Sequence, residues 1–593
     1  MKIMPMNLAD LEILALDCQA TGANPQKGHL LEIGWIQTCA AAAVKPETLT
    51  ASAYQIALPV DVDIPPAVQR ITGITRTDSA RALPAADVWH KLIQAANGTA
   101  IANQIEQCPV IIHYSRFETP FLKYLHALQH PPGTFPFRII CSHEIAKRLL
   151  PGLPRRGLRA VAGYFGHSVP RQRRSAAHAV ATAVIWQHFV RQLQAQHDIQ
   201  NIDQLADWLN RTRPQNRTGR DYPMKPEIRL NLPDKPGIYR MLRSNKDLLY
   251  IGKATSLKQR VNSYFRQKGA QAEHTLEMLS QAADLDVTPT DSALEAAVLE
   301  SDEIKQYSPP YNVALQKGQR KLTFLTRDLQ KRSDKPDKIH CLGPLPKGNT
   351  TDAMAAFGVW YAGLQNITRD EVLELGYVIL GVPPAYVPEP DCLAEGLDLF
   401  GHNHLRHLPH PSPLRTLTAL GHRLWRQRLA KLATAQTEDT QESVEEPSVD
   451  SELAVDAEPN WTPEKVARGI EKFTMRSALL VRRARWLCLL SESSLAWQAR
   501  DADDGRKIVL RFENGTVAHR EERPGQAEVP LPAGFAKGMA NRQKIFDLTT
   551  YERLRVVTTE LRRLVAAGRS VEIRLKPNAT LSRRQLARML PWV

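Results

Sequence analysis

The sequence predicts an α/β multidomain chain, and three observations carry that expectation. Its 593 residues exceed what one hydrophobic core can organise, so three or four domains are expected. Short apolar runs of strand character alternate with stretches of helical spacing. One segment, Glu438 to Asn460, holds nine acidic residues, no Lys or Arg and no aromatic residue, which marks a break between domains.

Composition narrows the function classes. The hydrophobic share of 43% suffices for ordinary globular cores. The longest apolar run, near Ala179 to Trp186, is far too short to span a bilayer. The N-terminus lacks the charge, apolar core and cleavage pattern of a signal peptide. Seven cysteines without a Cys-x-x-Cys pair argue against a disulfide framework and a thiolate zinc site. A cytoplasmic, reducing compartment is expected. The net charge is +15, from 77 basic and 62 acidic residues, and removing the nine acids of the acidic segment raises it to +24. A surface that positive attracts polyanions, so DNA is the expected partner and nucleoid association the expected location.

Residues 1–195 read as a layered α/β domain. Leu11 to Leu16 is an apolar strand ending at Asp17, Leu30 to Ile36 a second, and Val110 to His113 a third, while Leu122 to Leu128 and Ala179 to Phe189 read as helices. With Arg70-Ile71-Thr72-Gly73-Ile74 and Arg148-Leu149-Leu150-Pro151, the segment resembles the DnaQ-like proofreading exonucleases, a ribonuclease-H-like fold. The resemblance implies four carboxylates holding two metals and a His base. Here Asp17 matches the first carboxylate, Gln19 stands at the second, Glu118 at the third, and Arg173 and His178 occupy the last motif. No Asp occurs between Val88 and His197. Two anions in place of four leave two hard cations poorly neutralised, and Gln is a weak ligand for them. The exonuclease site is therefore expected to be silent, with Arg171-Gln172-Arg173-Arg174 suggesting a fold that holds nucleic acid.

Residues 196–230 read as a linker. Gln204-Leu205-Ala206-Asp207-Trp208-Leu209 is similar to the short peptides that dock on the sliding clamp, yet its apolar spacing is equally that of an ordinary helix, which is the favoured reading.

Residues 231–318 carry the chemistry. After the turn-forming Pro233-Asp234-Lys235-Pro236 comes Gly237-Ile238-Tyr239, and eleven residues beyond Tyr239 stands Tyr250, opening Tyr250-Ile251-Gly252-Lys253. The polar stretch Ser244 to Asp247 between two apolar runs predicts a β-hairpin with both tyrosines side by side. Leu257 to Phe265 has helical spacing that places Arg260 and Tyr264 on one face. Glu300 and Asn312 follow. A carboxylate can hold a hard cation, a phenol can take the proton of water, and a guanidinium can neutralise phosphate charge, which together make phosphodiester cleavage. These motifs identify the segment as resembling GIY-YIG nuclease domains of the UvrC/Cho excinuclease type. The resemblance implies Tyr250 as general base assisted by Tyr239. It places Lys253, Arg260 and Tyr264 around the phosphate, Glu300 on one Mg²⁺ or Mn²⁺, and Asn312 nearby. It also implies incision 3′ of a lesion in bacterial nucleotide excision repair, after delivery by UvrA and UvrB.

Residues 319–436 read as a Cho/UvrC-like extension. Cys392 with His402, His404, His407 and His410 matches no standard zinc spacing, and a solvated loop is expected there, with no iron–sulfur cluster. Residues 437–460 read as a disordered acidic linker. Residues 461–593 read as an α+β accessory domain, with Pro463 to Leu490 running from helix into strand, strands at Lys507 to Phe512 and Val571 to Leu575, and a basic helix from Tyr551 to Leu564. Asp547 has no acidic partner, so no second nuclease is expected. Two other functions fit the same residues: a DNA-binding adaptor with an inactive exonuclease fold, and a structure-specific nuclease for branches or flaps.

Overall fold

The computed structural model describes residues 6–41, 49–129, 134–214, 219–266, 271–312, 321–363, 368–382, 386–406, 412–435, 461–498 and 505–592. The chain forms two compact units, Met1–Asp291 with Pro309–Val313, and Ser292–Ser308 with Ala314–Val593. The acidic segment and His407 and His410 lie outside the described residues.

The first unit begins with a five-stranded sheet. Strands β1 (Ile13–Ala20), β2 (Leu30–Thr38) and β3 (Ser52–Gln55) precede helices α1 (Pro66–Thr72) and α2 (Ala85–Asn103). Then come β4 (Cys108–Ile112), α3 (Glu118–Gln129), β5 (Phe137–Cys141), α4 (Ser142–Leu149), α5 (Leu158–Tyr164) and α6 (Ser175–His197). The order is β3-β2-β1-β4-β5, with β1 antiparallel to β2 and parallel to β4. Successive side chains of a strand point to opposite faces, and a strand covered on both faces reads as a continuous apolar run. In β1, Ile13 and Ala15 join the core around α6, while Leu14 and Leu16 join the one around α2 and α3. The same alternation carries Asp17 and Gln19 to the α6 side. Gly34 of β2 lets α6 approach: a Cβ there would lie 2.8 Å from the Ser175 carbonyl carbon.

Within the stretch 196–230, read as a linker, two helices form. Helix α7 (Ile202–Arg211) is capped by Asn201, whose side chain accepts from the Asp203 and Gln204 amides. Leu205 is buried in the α6 core, Trp208 and Leu209 pack against it, and Arg148 lies over the Trp208 ring at 5.9 Å. The apolar residues of the clamp-like peptide thus face the chain's own core. Helix α8 (Pro226–Leu230) follows, and Met224 is buried in the next core.

That core belongs to a three-stranded antiparallel sheet of β6 (Gly237–Leu242), β7 (Leu248–Ala254) and β8 (Asp284–Pro289), ordered β7-β6-β8. Helices α9 (Leu257–Ser263) and α10 (Glu273–Leu279) cover it. Ser256 caps α9 by accepting from the Gln259 amide at 3.1 Å.

The second unit opens with α11 (Ala293–Tyr307), then the small sheet β9 (Leu322–Leu325), β10 (Arg332–Ser333) and β11 (Leu342–Pro346). Helices α12 (Asn349–Gly363), α13 (Arg369–Leu380), α14 (Pro390–His404), α15 (Pro413–Ala435) and α16 (Pro463–Leu490) follow. A five-stranded antiparallel sheet comprises β12 (Ser494–Gln498), β13 (Lys507–Glu513), β14 (Thr516–Arg523), β15 (Val571–Lys576) and β16 (Ala579–Leu581). Helices α17 (Met539–Lys544), α18 (Leu548–Ala566) and α19 (Arg583–Met589) accompany it. Helix α16 corrects the expected helix-into-strand: it is helical throughout, because its apolar residues keep helical spacing through Leu490. Its residues from Val466 to Ala484 share a core with α12 to α15, and Trp486 to Leu490 join the core of the following sheet. Asp547, without acidic partners, is the N-cap of α18 and accepts from the Thr550 amide at 2.7 Å. Among the described residues no helix is long and apolar enough to cross a membrane.

Candidate active site

The hairpin β6–β7 builds the first half of the site. Its register pairs Tyr239 with Gly252 and Met241 with Tyr250, so both tyrosines share one face. Their ring centroids lie 6.1 Å apart. Helix α9 brings in the other partners. The Tyr239 and Tyr264 hydroxyls are 2.9 Å apart, and Arg260 donates to the Tyr264 hydroxyl at 3.1 Å while stacking on that ring at 4.9 Å. Tyr239 is fully buried, Tyr250 and Tyr264 are half-buried, and Arg260 is exposed. The cluster thus runs from an interior phenol to a surface guanidinium. Burial raises the Tyr239 phenol well above its ordinary range, and the neighbouring Tyr264 and Tyr250 oxygens add to this, so Tyr239 keeps its proton. Beside α9 lies a groove of about 550 Å³ whose lining includes Arg229, Lys258, Asn262 and Arg266.

Asn312 clamps the hairpin from behind. Its side chain accepts from the Ile251 amide at 2.9 Å and donates to the Ile251 carbonyl at 2.8 Å. Both backbone groups of the residue after Tyr250 are therefore fixed. Lys253 is half-buried and pairs with Ile238, which by strand alternation puts it on the face opposite the phenols.

Glu300 is half-buried on α11, which the sequence grouped with residues 231–318 and which folds with the second unit. That helix is tied down by Arg553 to Asp302 at 2.8 Å, Lys305 to Glu552 at 3.2 Å and Arg520 to Glu295 at 2.7 Å. Leu294 and Val298 join the core of the five-stranded sheet. Among the described residues no group of three or more His, Cys, Asp or Glu could hold a metal ion. A lone carboxylate suits a hydrated Mg²⁺ or Mn²⁺ that keeps water and phosphate oxygens in its shell, and does not suit zinc.

The exonuclease-like residues form a second, different cluster. Gln19 donates to Asp17 Oδ2 at 2.7 Å, and His178 Nδ1 lies 3.2 Å from Asp17 Oδ1. Glu118 is buried, with Oε2 lacking any hydrogen-bond partner, and burial followed by the Asp17 charge pushes its carboxyl well above the usual range. Both oxygens of Asp17 are therefore engaged within the cluster. Arg173 stands outside it: the side chain is exposed and its amide donates to the Ile71 carbonyl. Sequence reasoning missed Glu32, which pairs with Gln19 across β1 and β2. Glu32 is buried and accepts from Arg174 Nε at 3.0 Å and from the Ser175 amide at 2.7 Å. A lone acid inside the apolar run Leu30 to Ile36 was its only signal. In the histidine-rich stretch, His404 is engaged by Glu471 at 2.7 Å.

Residues 235–313 match the family model of the UvrC-like GIY-YIG domain. UvrABC system protein C of Shewanella pealeana is 40% identical over 119 residues, which are 19% of this chain and 19% of that protein. The matched stretch therefore spans about a fifth of that relative's length. The GIY-YIG N-terminal endonuclease domain of UvrC from Thermotoga maritima, bound to its catalytic divalent cation magnesium, is 34% identical; the match covers 15% of this chain and 100% of that one, with a TM-score of 0.14. The nuclease domain of 3′hExo, a DEDDh family member bound to rAMP, is 16% identical, covering 32% of this chain and 96% of that one, with a TM-score of 0.26.

Proposed function

We propose that this chain is a metal-dependent DNA endonuclease making a single-strand incision, the 3′ nick of bacterial nucleotide excision repair, in the cytoplasm and with UvrA and UvrB as partners. The observation that carries the reading is the hydrogen-bonded run Tyr239–Tyr264–Arg260 beside Tyr250, lying within the segment that matches the UvrC-like GIY-YIG domain. Arg260 meets the scissile phosphate from the exposed end of the run and neutralises charge that develops on its oxygens. Lys253, on the opposite face of the hairpin, adds positive charge only at longer range. Tyr250, half-buried, takes the proton of the attacking water as its phenolate, which becomes the neutral phenol. Tyr239 keeps its own proton and fixes the Tyr264 hydroxyl, which in turn fixes Arg260. Asn312 holds the backbone beside Tyr250. A divalent cation at Glu300 would supply further neutralisation of phosphate charge and acidify a water. The groove holding Arg229, Lys258 and Arg266 receives the flanking backbone phosphates.

The test is incision of a lesion-bearing duplex by the full chain with UvrA, UvrB and Mg²⁺ or Mn²⁺. One nick 3′ of the lesion is expected, absent in Glu300→Ala and reduced by roughly 10²-fold or more in Tyr250→Phe. Binding without nicking in either metal overturns the enzyme in favour of the adaptor. Cleavage of forked substrates without UvrA and UvrB, and none of the lesion duplex, overturns the repair assignment in favour of a branch nuclease.

A further inference from the structure

Within the first unit, the exonuclease-like domain is docked on the nuclease hairpin through α5 and the residues around it. The Arg155 amide donates to Ser280 Oγ at 2.9 Å, and Asn245 donates to the Gly166 carbonyl at 2.8 Å. The α5 backbone at Gly163 lies so close to Gln281 that any side chain there would collide with its amide oxygen. Arg159 of α5 pairs with Glu277 at 3.2 Å, and its guanidinium lies 5.5 Å from the centre of the Tyr311 ring.

Tyr311 is where this contact meets the chemistry. Its hydroxyl donates to Glu277 at 2.6 Å and accepts from Gln281, whose own oxygen accepts from Arg243 at 3.0 Å. The Tyr311 amide donates to the Leu249 carbonyl at 3.1 Å. The next residue, Asn312, brackets Ile251. Tyr250 is thus the residue between two anchored neighbours, and both anchors are set by where Tyr311 sits. Glu277 is largely buried, with 29% of its side chain exposed, so without Arg159 its charge would lack an ion-pair partner and the carboxylate would turn to water, releasing the Tyr311 hydroxyl.

We infer that Arg159, on the exonuclease-like domain, is a positioning residue for the nuclease, and that this domain is a brace holding β7 and Tyr250 in place. The effect on rate rests on the proposed endonuclease reading; the brace itself does not. A local ordering element of this kind acts on the geometry of a reacting group, so it affects turnover more than substrate affinity.

The experiment uses the full chain. With Arg159→Ala, amide exchange over residues 248–252 is expected to speed up by about 10-fold while exchange in β1 and β4 stays as in wild type. The kcat for nicking is expected to fall by about 10-fold at unchanged KM. Tyr311→Phe removes only the hydroxyl and leaves the docked surface intact, so it gives the same local change even if Arg159→Ala folds poorly. Unchanged exchange over 248–252 in Tyr311→Phe and in a folded Arg159→Ala overturns the inference. If the wild-type chain makes no nick at all, the endonuclease reading fails while the exchange data still decide the brace.

Discussion

Gly252 lies beneath the Tyr239 hydroxyl. The two are register partners across the hairpin, and a Cβ on Gly252 would fall well inside the contact radius of that oxygen. Glycine is required here because of a close approach, not a backbone angle. Gly252→Ala therefore has to move the Tyr239 ring, and with it the Tyr264 hydroxyl and Arg260. Overpacking of a buried aromatic costs about 1–3 kcal/mol, visible as a lower denaturation midpoint. The nicking rate is expected to drop by about 100-fold, since an error of roughly 1 Å at a reacting group has that effect. Normal nicking by a folded Gly252→Ala chain would remove the phenol run from the mechanism.

The second prediction concerns metal. Glu300 sits on a helix whose neighbours Glu295, Asp302 and Lys305 are all ion-paired to the C-terminal sheet and α18. Arg553→Ala deletes one of those ties without touching Glu300. The Mg²⁺ concentration giving half-maximal nicking is expected to rise by roughly 10-fold, with the rate at saturating metal largely recovered. A metal titration of nicking reads this directly, and an unshifted midpoint would separate the C-terminal residues from Glu300.

How much of this was legible in the sequence follows from the range of each interaction. The hairpin was legible because a turn signal and two apolar runs are local, and the Arg260–Tyr264 pair because helical spacing is local. The division of the chain was not. Helix α11 reads as part of the nuclease segment, and the ion pairs that tie it to α18 and β14 join residues more than two hundred apart in sequence. Glu32 was illegible for a similar reason: its partner Arg174 is distant in sequence, and one acid in an apolar strand has no period. The clamp-like peptide shows the opposite limit, since the spacing of Leu205, Trp208 and Leu209 is the same whether they face a partner or their own core.

The third prediction follows from Glu118. Its folded carboxyl titrates well above the ordinary range, chiefly through burial and then through the Asp17 charge. A raised folded value means that the native state holds the proton more tightly than the unfolded chain. Its contribution is fully present below the unfolded value and is lost as pH rises toward the folded one. Glu118→Gln removes that titration and leaves a neutral group of the same shape. The variant is expected to be more stable than wild type at pH 8, and the difference is expected to shrink toward pH 4. Denaturant midpoints at the two pH values decide it, and a variant less stable at pH 8 would mean that the fold favours the ionised carboxylate rather than the neutral acid.

The last prediction is the absence of exonuclease chemistry. Two-metal hydrolysis needs several anionic oxygens free to bridge the cations. Here Gln19 and His178 engage the two oxygens of Asp17, and Glu118 favours its neutral form. Glu32 brings a carboxylate to the same face of the sheet, but Arg174 and the Ser175 amide already hold it. Replacing Gln19 with Glu would add a charge next to Asp17 without freeing any of these groups, so it is expected to restore nothing. The assay is release of mononucleotides from single-stranded 3′ ends with Mn²⁺, using the full chain carrying Glu300→Ala so that nicking cannot create new ends. No release is expected from that chain or from its Gln19→Glu derivative. Processive release from the first would show that a metal pair assembles around Asp17 despite its neighbours; release only from the second would show that Gln19 alone silences the site.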